Sequence, residues 1–163
     1  MLKLNRRAMI ALAAAATAAM TPALAQETTT ATSTGTPGDF SLGSPDAKVK
    51  LLEYASYTCP HCANFHQTVF GQLKKDYIDT GKVQFTMREV YFDRYGLWAA
   101  LIARCGGEMR YFGIHDILFE KQAEWAASED PMKVVENLKT IGRTAGLDDA
   151  AMDVCLNDTA NAE

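Results

Sequence analysis

The stretch YASYTCPHCANFH, residues 54–66, sets two cysteines two positions apart, with Pro60 and His61 between them. Its flanks restrict the fold the chain can take. Upstream, KVKLLEYAS (48–56) is short, mostly apolar and without helical period. Its length and flanks predict a strand buried on both faces, as in a sheet covered by helices. Downstream, Phe65, Val69, Leu73 and Tyr77 recur every four residues and predict one buried helical face. Pro60 suits the first turn of that helix and Gly81 its stop. KVQFTMREV (82–90) then alternates Val83, Phe85 and Met87, the period of a strand. Strand, helix and strand in this order form a βαβ unit, expected to cross over right-handedly.

Beyond DRYG (93–96) the pattern is helical. One helix is predicted over Leu97–Cys105. A second runs from Glu108 to near Glu124, with Phe112, Leu118 and Phe119 inward. Asp130 and Pro131 read as N-cap and first helical residue of a third, which Gly146 stops after Ala145. Asp148 caps a last short helix through Cys155. Trp98 and Trp125, with Phe112 and Phe119, read as core or groove-lining residues. His66 and His115 read as packing or surface histidines.

The first 25 residues carry the marks of a secretory signal peptide. Lys3, Arg6 and Arg7 precede an apolar run from Ala8 to Met20, and ALA (23–25) offers a small-residue cleavage pattern. The run is shorter than the roughly 20 residues that span a bilayer. The pair Arg6–Arg7 fits a twin-arginine signal poorly. Residues 26–38, rich in Thr, Gly and Pro, read as a flexible linker. A net charge of −4 with no basic stripe speaks against a nucleic-acid partner. Export places Cys59, Cys62, Cys105 and Cys155 in an oxidising compartment, where an even cysteine count favours disulfides.

Cys59 falls where the strand ends and the helix starts. The first N–H groups of a helix lack intrahelical partners, and the dipole there is positive. Both stabilise a thiolate, and a protonated His61 would add to them, so the Cys59 pKa is expected to fall. Cys62, one turn on, is the expected resolving partner and the more buried of the two. Whatever stabilises the thiolate makes the disulfide easier to reduce, and hence a better oxidant. Other uses of the pair fit less well. A c-type haem site needs histidine directly after the second cysteine, and Ala63 stands there. Zinc could take Cys59, Cys62 and His66 but lacks a fourth ligand. A structural staple between positions so close would constrain little chain.

A CPHC tetrapeptide that follows a strand and opens a helix resembles the DsbA family of periplasmic thiol-disulfide oxidoreductases, and the resemblance extends over roughly residues 39–160. It implies an α/β thioredoxin-like fold over 39–163 with a helical insertion at about 97–157. It implies redox roles for Cys59, Cys62, Pro60 and His61. Glu53 stands six residues before Cys59, where the family carries a buried acid, so the resemblance implies a proton-transfer or charge-tuning role. An unpaired buried carboxylate is costly and tends to take up a proton. Some DsbA-like proteins carry a second disulfide in the helical domain, which implies a Cys105–Cys155 bond in place of two buried free thiols. The implied function is an exported, periplasmic enzyme that introduces or exchanges disulfides in secreted proteins. It would be a monomer without cofactor or metal, reoxidised by a quinone-linked membrane partner of the DsbB type. An isomerase or reductase of the same fold, or a non-enzymatic binding or chaperone domain, are the alternatives.

Thioredoxin-like folds resemble one another in a later segment, a cis-proline loop facing the CxxC followed by a hairpin and a final helix. The prolines here are Pro22, Pro37, Pro45, Pro60 and Pro131, and none supplies that loop. With two strands and a third near Phe40, the C-terminal strands are expected to be missing and the sheet to keep an unpaired edge. The 163-residue chain is therefore expected to be less stable and less active than one extended through its natural downstream residues. Insulin reduction and thermal unfolding of the two forms test this, and equal values would mean that the domain is complete.

Overall fold

The computed structural model describes residues 38–158. The predicted signal peptide and all but the last residue of the predicted linker lie outside them. Strand β1 (Ser41–Leu42) is followed by β2 (Val49–Ala55) and, after a helical rod, by β3 (Val83–Glu89). β2 and β3 pair in parallel, from Val49 opposite Val83 to Ala55 opposite Glu89. β1 pairs antiparallel with β3, and the sheet order is β1-β3-β2.

β3 alternates as its sequence predicts, with Val83, Phe85 and Met87 buried on one face. β2 corrects the expectation of a strand buried on both faces. Among the described residues β3 is the central strand and β2 an edge. Val49 is 55% exposed and Tyr54 61%, and Leu51 and Leu52 are exposed as well. An apolar run signals that a strand is suited to burial, whereas its actual exposure depends on neighbours outside the run.

The rod between β2 and β3 opens with α1 (Pro60–Phe65). It continues through a π-helical turn (His66–Phe70), the short α2 (Gly71–Leu73) and a second π-helical turn (Lys74–Ile78). A π turn takes more residues than an α turn, so it shifts the phase of every later side chain. The predicted face is corrected accordingly. Val69 and Tyr77 are about half exposed, at 47% and 49%, whereas Ala63, Phe70 and Ile78 carry the burial. Phe65 and Leu73 pack at its margin.

The helical segment comprises α3 (Arg94–Cys105), α4 (Gly107–Glu120), α5 (Gln122–Trp125), α6 (Pro131–Thr144) and α7 (Asp149–Leu156). Each aspartate cap works as its residue type predicts. Asp93 accepts from the Gly96 N–H, Asp130 from Met132 and Asp148 from Ala151. The helix predicted from Glu108 to Glu124 is broken at Lys121, where φ −103° and ψ 18° leave the helical region. Trp125 is buried beyond that break, and its indole N–H donates to the Leu118 carbonyl at 2.8 Å.

One apolar core joins the sheet to the helices. Tyr57, Phe85, Met87, Ile102, Ile114, Leu118, Phe119 and Leu138 are fully buried in it. Burial of each such side chain is worth about 1.5–3 kcal/mol. A polar cluster closes one side. The Glu89 carboxylate accepts from Arg104 Nη2 at 2.6 Å and from the Tyr111 hydroxyl at 2.7 Å.

Cys105 and Cys155 are joined by a disulfide, with Cα atoms 5.8 Å apart across 50 positions of sequence. The bond ties α7 to α3. In the chain-entropy view a loop of this length is worth about 4 kcal/mol. Replacing both cysteines by Ala should lower stability by about 2–4 kcal/mol in urea unfolding and leave the reactivity of Cys59 unchanged. An unaltered unfolding midpoint would show that the bond contributes nothing.

Candidate functional site

The site is built where β2 hands over to α1. Ser56 ends the extended run, and the Cys59 N–H donates to its carbonyl at 3.1 Å. Cys59 is the N-cap of α1, in extended conformation, and Pro60 stands in the first helical turn. The Cys59 carbonyl accepts from Ala63 N–H at 3.1 Å, which starts the helix.

Two distant segments hold this turn. The Gln122 side-chain amide, at the start of α5, donates to the carbonyls of Tyr57 at 2.7 Å and Cys59 at 3.0 Å. Asp93, the cap of α3, accepts from the Thr58 hydroxyl at 2.6 Å through its other carboxylate oxygen. α3 can approach because Gly96 has no side chain. A Cβ there would lie 3.0 Å from Ser56 Oγ and 3.2 Å from Thr58 Oγ1.

Cys59 and Cys62 are free thiols, both partly exposed. Burial alone would raise the Cys59 pKa. The Cys62 N–H, the Cys62 thiol and the His61 N–H all donate to the Cys59 sulfur, and the net effect is a lowered value. Cys62 shifts the opposite way. Burial raises it first, then its bond to Cys59, and the negative charge of Glu53 adds to the effect. The two thiols are therefore unequal, with the thiolate on Cys59 and the proton on Cys62. The His61 side chain is exposed, and what His61 gives Cys59 here is its backbone N–H. The helix start supplies the donors directly, so no imidazolium is required.

Glu53 reaches the site from the middle of β2. Its carboxylate is not the unpaired group that sequence reasoning supposed, since Oε2 lies 3.0 Å from His66 Nε2. The side chains of Glu53 and His66 are 18% and 4% exposed. His66 is a packing histidine, stacked on Phe119 with ring centroids 4.2 Å apart, and it is also a bonded one. Its Nδ1 lies 3.3 Å from His115 Nε2, and His115 Nδ1 lies 3.2 Å from the Tyr57 hydroxyl. Four polar side chains, Glu53, His66, His115 and Tyr57, are thus joined in one line of hydrogen bonds. Sequence reasoning missed this role for His66, although one signal was present: His66 follows Cys62 by four positions, which puts both on one helical face. Nothing local announced His115, Tyr57 or Gln122. Among the described residues no group of three or more His, Cys, Asp or Glu side chains is placed to hold a metal ion. No described helix is long and apolar enough to cross a membrane.

Comparison with known proteins agrees with this geometry. Residues 35–163 match the thioredoxin family model. A Rickettsia bellii protein bearing the name protein-disulfide oxidoreductase is 40% identical over 121 residues, which cover 74% of this chain and 46% of that protein. The chain thus spans less than half the length of this relative and of others like it. The crystal structure of Wolbachia pipientis alpha-DsbA1 superposes with a TM-score of 0.72 at 34% identity, covering 77% of this chain and 63% of that one. A protein-disulfide isomerase from Novosphingobium aromaticivorans gives a TM-score of 0.66 at 29% identity, covering 78% and 76%. Sequence, fold and the placing of the two thiols at a strand-to-helix junction lead to one assignment: the chain belongs to the thioredoxin family, within its DsbA-like group.

Proposed function

We propose that this protein is an exported thiol-disulfide oxidoreductase that forms disulfides in secreted proteins through Cys59 and Cys62. The observation that carries the reading is the set of donors aimed at the Cys59 sulfur from Cys62 and His61. A thiolate held this way is a good leaving group, and its disulfide is a good oxidant.

In the oxidised enzyme a substrate thiolate attacks Cys59 Sγ, and the electron pair of the Cys59–Cys62 bond passes to Cys62, which takes up a proton. A mixed disulfide now joins substrate and Cys59. A second substrate thiol loses its proton, attacks the substrate sulfur and expels the Cys59 thiolate. The substrate has lost two electrons and the CxxC has gained them. Reoxidation falls to a quinone-linked membrane partner of the DsbB type in the periplasm. Pro60 contributes by fixing the start of α1, and Glu53 by setting the charge beside Cys62.

The lowered Cys59 pKa fixes a sign with pH. The thiolate stabilises the reduced protein fully above the ordinary thiol range, and that stabilisation is lost as pH falls through the lowered value. In the reduced protein, iodoacetamide at about pH 5 should label Cys59 ahead of Cys62, because a thiol of ordinary pKa near 8.5 is barely ionised there. Equal labelling of the two would defeat the reading. Cys59→Ser should abolish oxidation of a reduced, unfolded test protein. One neighbour bears the name protein-disulfide isomerase, so the reduction potential separates the directions of flow. An oxidase should lie near the most oxidising thioredoxin-like proteins, roughly −120 mV, and an isomerase nearer −180 mV.

A further inference from the structure

Two glutamine amides join the redox helix to the corner between α4 and α5, one from each side. Gln122 opens α5 and is 8% exposed. Its amide nitrogen donates to the Tyr57 carbonyl at 2.7 Å and to the Cys59 carbonyl at 3.0 Å. Gln67 lies in the π-helical turn that follows α1. Its amide nitrogen donates in the opposite direction, to the Phe119 carbonyl at 2.8 Å and more weakly to that of Glu120 at 3.4 Å. Both of these carbonyls stand in the last turn of α4, where a helix leaves carbonyls without intrahelical partners. The short α5 is itself held at its far end. The Trp125 indole N–H donates back to Leu118 at 2.8 Å, and Asn137 of α6 donates to the Trp125 carbonyl at 3.3 Å.

A neutral primary amide carries two donors on one nitrogen, and Gln122 gives one to each carbonyl. Tyr57 is fully buried, so its carbonyl cannot turn to water and depends on a protein donor. The Cys59 carbonyl already accepts from the Ala63 N–H, and Gln122 occupies its second lone pair. Carbonyls fixed on either side of Thr58 leave the turn little freedom to rotate. The orientation of the Cys59 carbonyl is the ψ angle of Cys59, 116°. That angle decides where the Cys59 sulfur stands relative to the N–H groups of Cys62 and His61, which donate to it. A rotation there would take the donors off the sulfur and still leave α1 helical. We propose that Gln122 is a positioning residue for the redox reaction: its two hydrogen bonds hold the Cys59 carbonyl, and with it the angle that brings the Cys62 and His61 N–H groups to the Cys59 sulfur. Gln67 supports the same joint by fixing the end of α4 on which α5 is mounted. The inference deepens the oxidoreductase reading above and rests on it.

The substitution Gln122→Met, made in the full chain, keeps the length of the side chain and removes both donors. Alkylation of Cys59 in the reduced protein is followed by peptide mass from about pH 4 to about pH 10, a range that brackets an ordinary thiol. The profile of the variant should move to higher pH. Labelling at about pH 5 should slow roughly tenfold, the worth of one hydrogen bond, and the two proteins should converge at the alkaline end. The equilibrium of the CxxC with glutathione should shift by a similar factor toward the disulfide, because a less stable thiolate makes the reduced state less stable. Gln67→Met, at an exposed position, should move both readouts in the same direction by roughly threefold, the low end of a hydrogen bond's worth. The double variant should move no further than Gln122→Met alone. A purely structural role would lower the unfolding midpoint of Gln122→Met and leave its alkylation profile and glutathione equilibrium in place, and that result overturns the proposal. If Gln122→Met does not fold, Gln67→Met decides, and an unmoved profile there overturns the proposal as well. Equal labelling of Cys59 and Cys62 in the wild type brings down the oxidoreductase reading and this inference together. Unequal labelling in the wild type with an unmoved Gln122→Met overturns this inference alone.

Discussion

Everything distinctive about this molecule depends on how one turn of backbone, Ser56 to Cys59, is held. The reactivity of Cys59 is set by where the N–H groups of His61 and Cys62 point, and those directions follow from the angle at which α1 leaves the sheet. A single β-turn could not fix that angle alone. Gln122 does so from one side by binding two carbonyls of the turn, and Asp93 from the other through Thr58. Both arrive from the helical segment, so the helices serve as a clamp on the redox turn as well as a cover for the sheet. The break at Lys121 has its use in the same terms, because it restarts the chain at Gln122 beside the turn.

The parts of this arrangement that were legible in the sequence are those set by neighbours along the chain. CPHC after an apolar run identified the strand-to-helix junction, the alternation of Val83, Phe85 and Met87 identified β3, and Asp130 and Asp148 marked helix starts to the residue. The errors share one cause. The face Phe65–Val69–Leu73–Tyr77 assumed an unbroken helical period, and two π turns displaced it. The burial of β2 was inferred from the length and flanks of an apolar run, although exposure depends on which strand lies alongside. The bond between Glu53 and His66 joins positions 13 apart on different elements, and His115 lies 49 positions beyond His66. No local pattern encodes such a meeting. Reading Glu53 as an unpaired acid therefore missed the partner that it has in His66.

The core is also more polar than the composition suggests. Glu53 and Glu89 each lie at the edge of the apolar cluster, each bound to a cationic or imidazole partner, with two tyrosines and His115 between them. A buried charge is tolerable only when paired and hydrogen-bonded, and here each acid is supplied by a residue from another element. Such groups specify which helix face meets which strand, since a slip of one turn would leave a carboxylate without its donor.

The Cys105–Cys155 bond has a mechanical meaning. If the chain is drawn out by its two ends, the sheet and the rod after it bear the load and can extend, whereas the 50 positions between the cysteines are bypassed. Fully stretched, those residues would have added about 170 Å, at roughly 3.4 Å each. The contour length of the oxidised chain is shorter by nearly that amount. Under tension most of the helical segment, from α4 through α6, therefore behaves as a closed knot while the element that carries Cys59 is pulled straight.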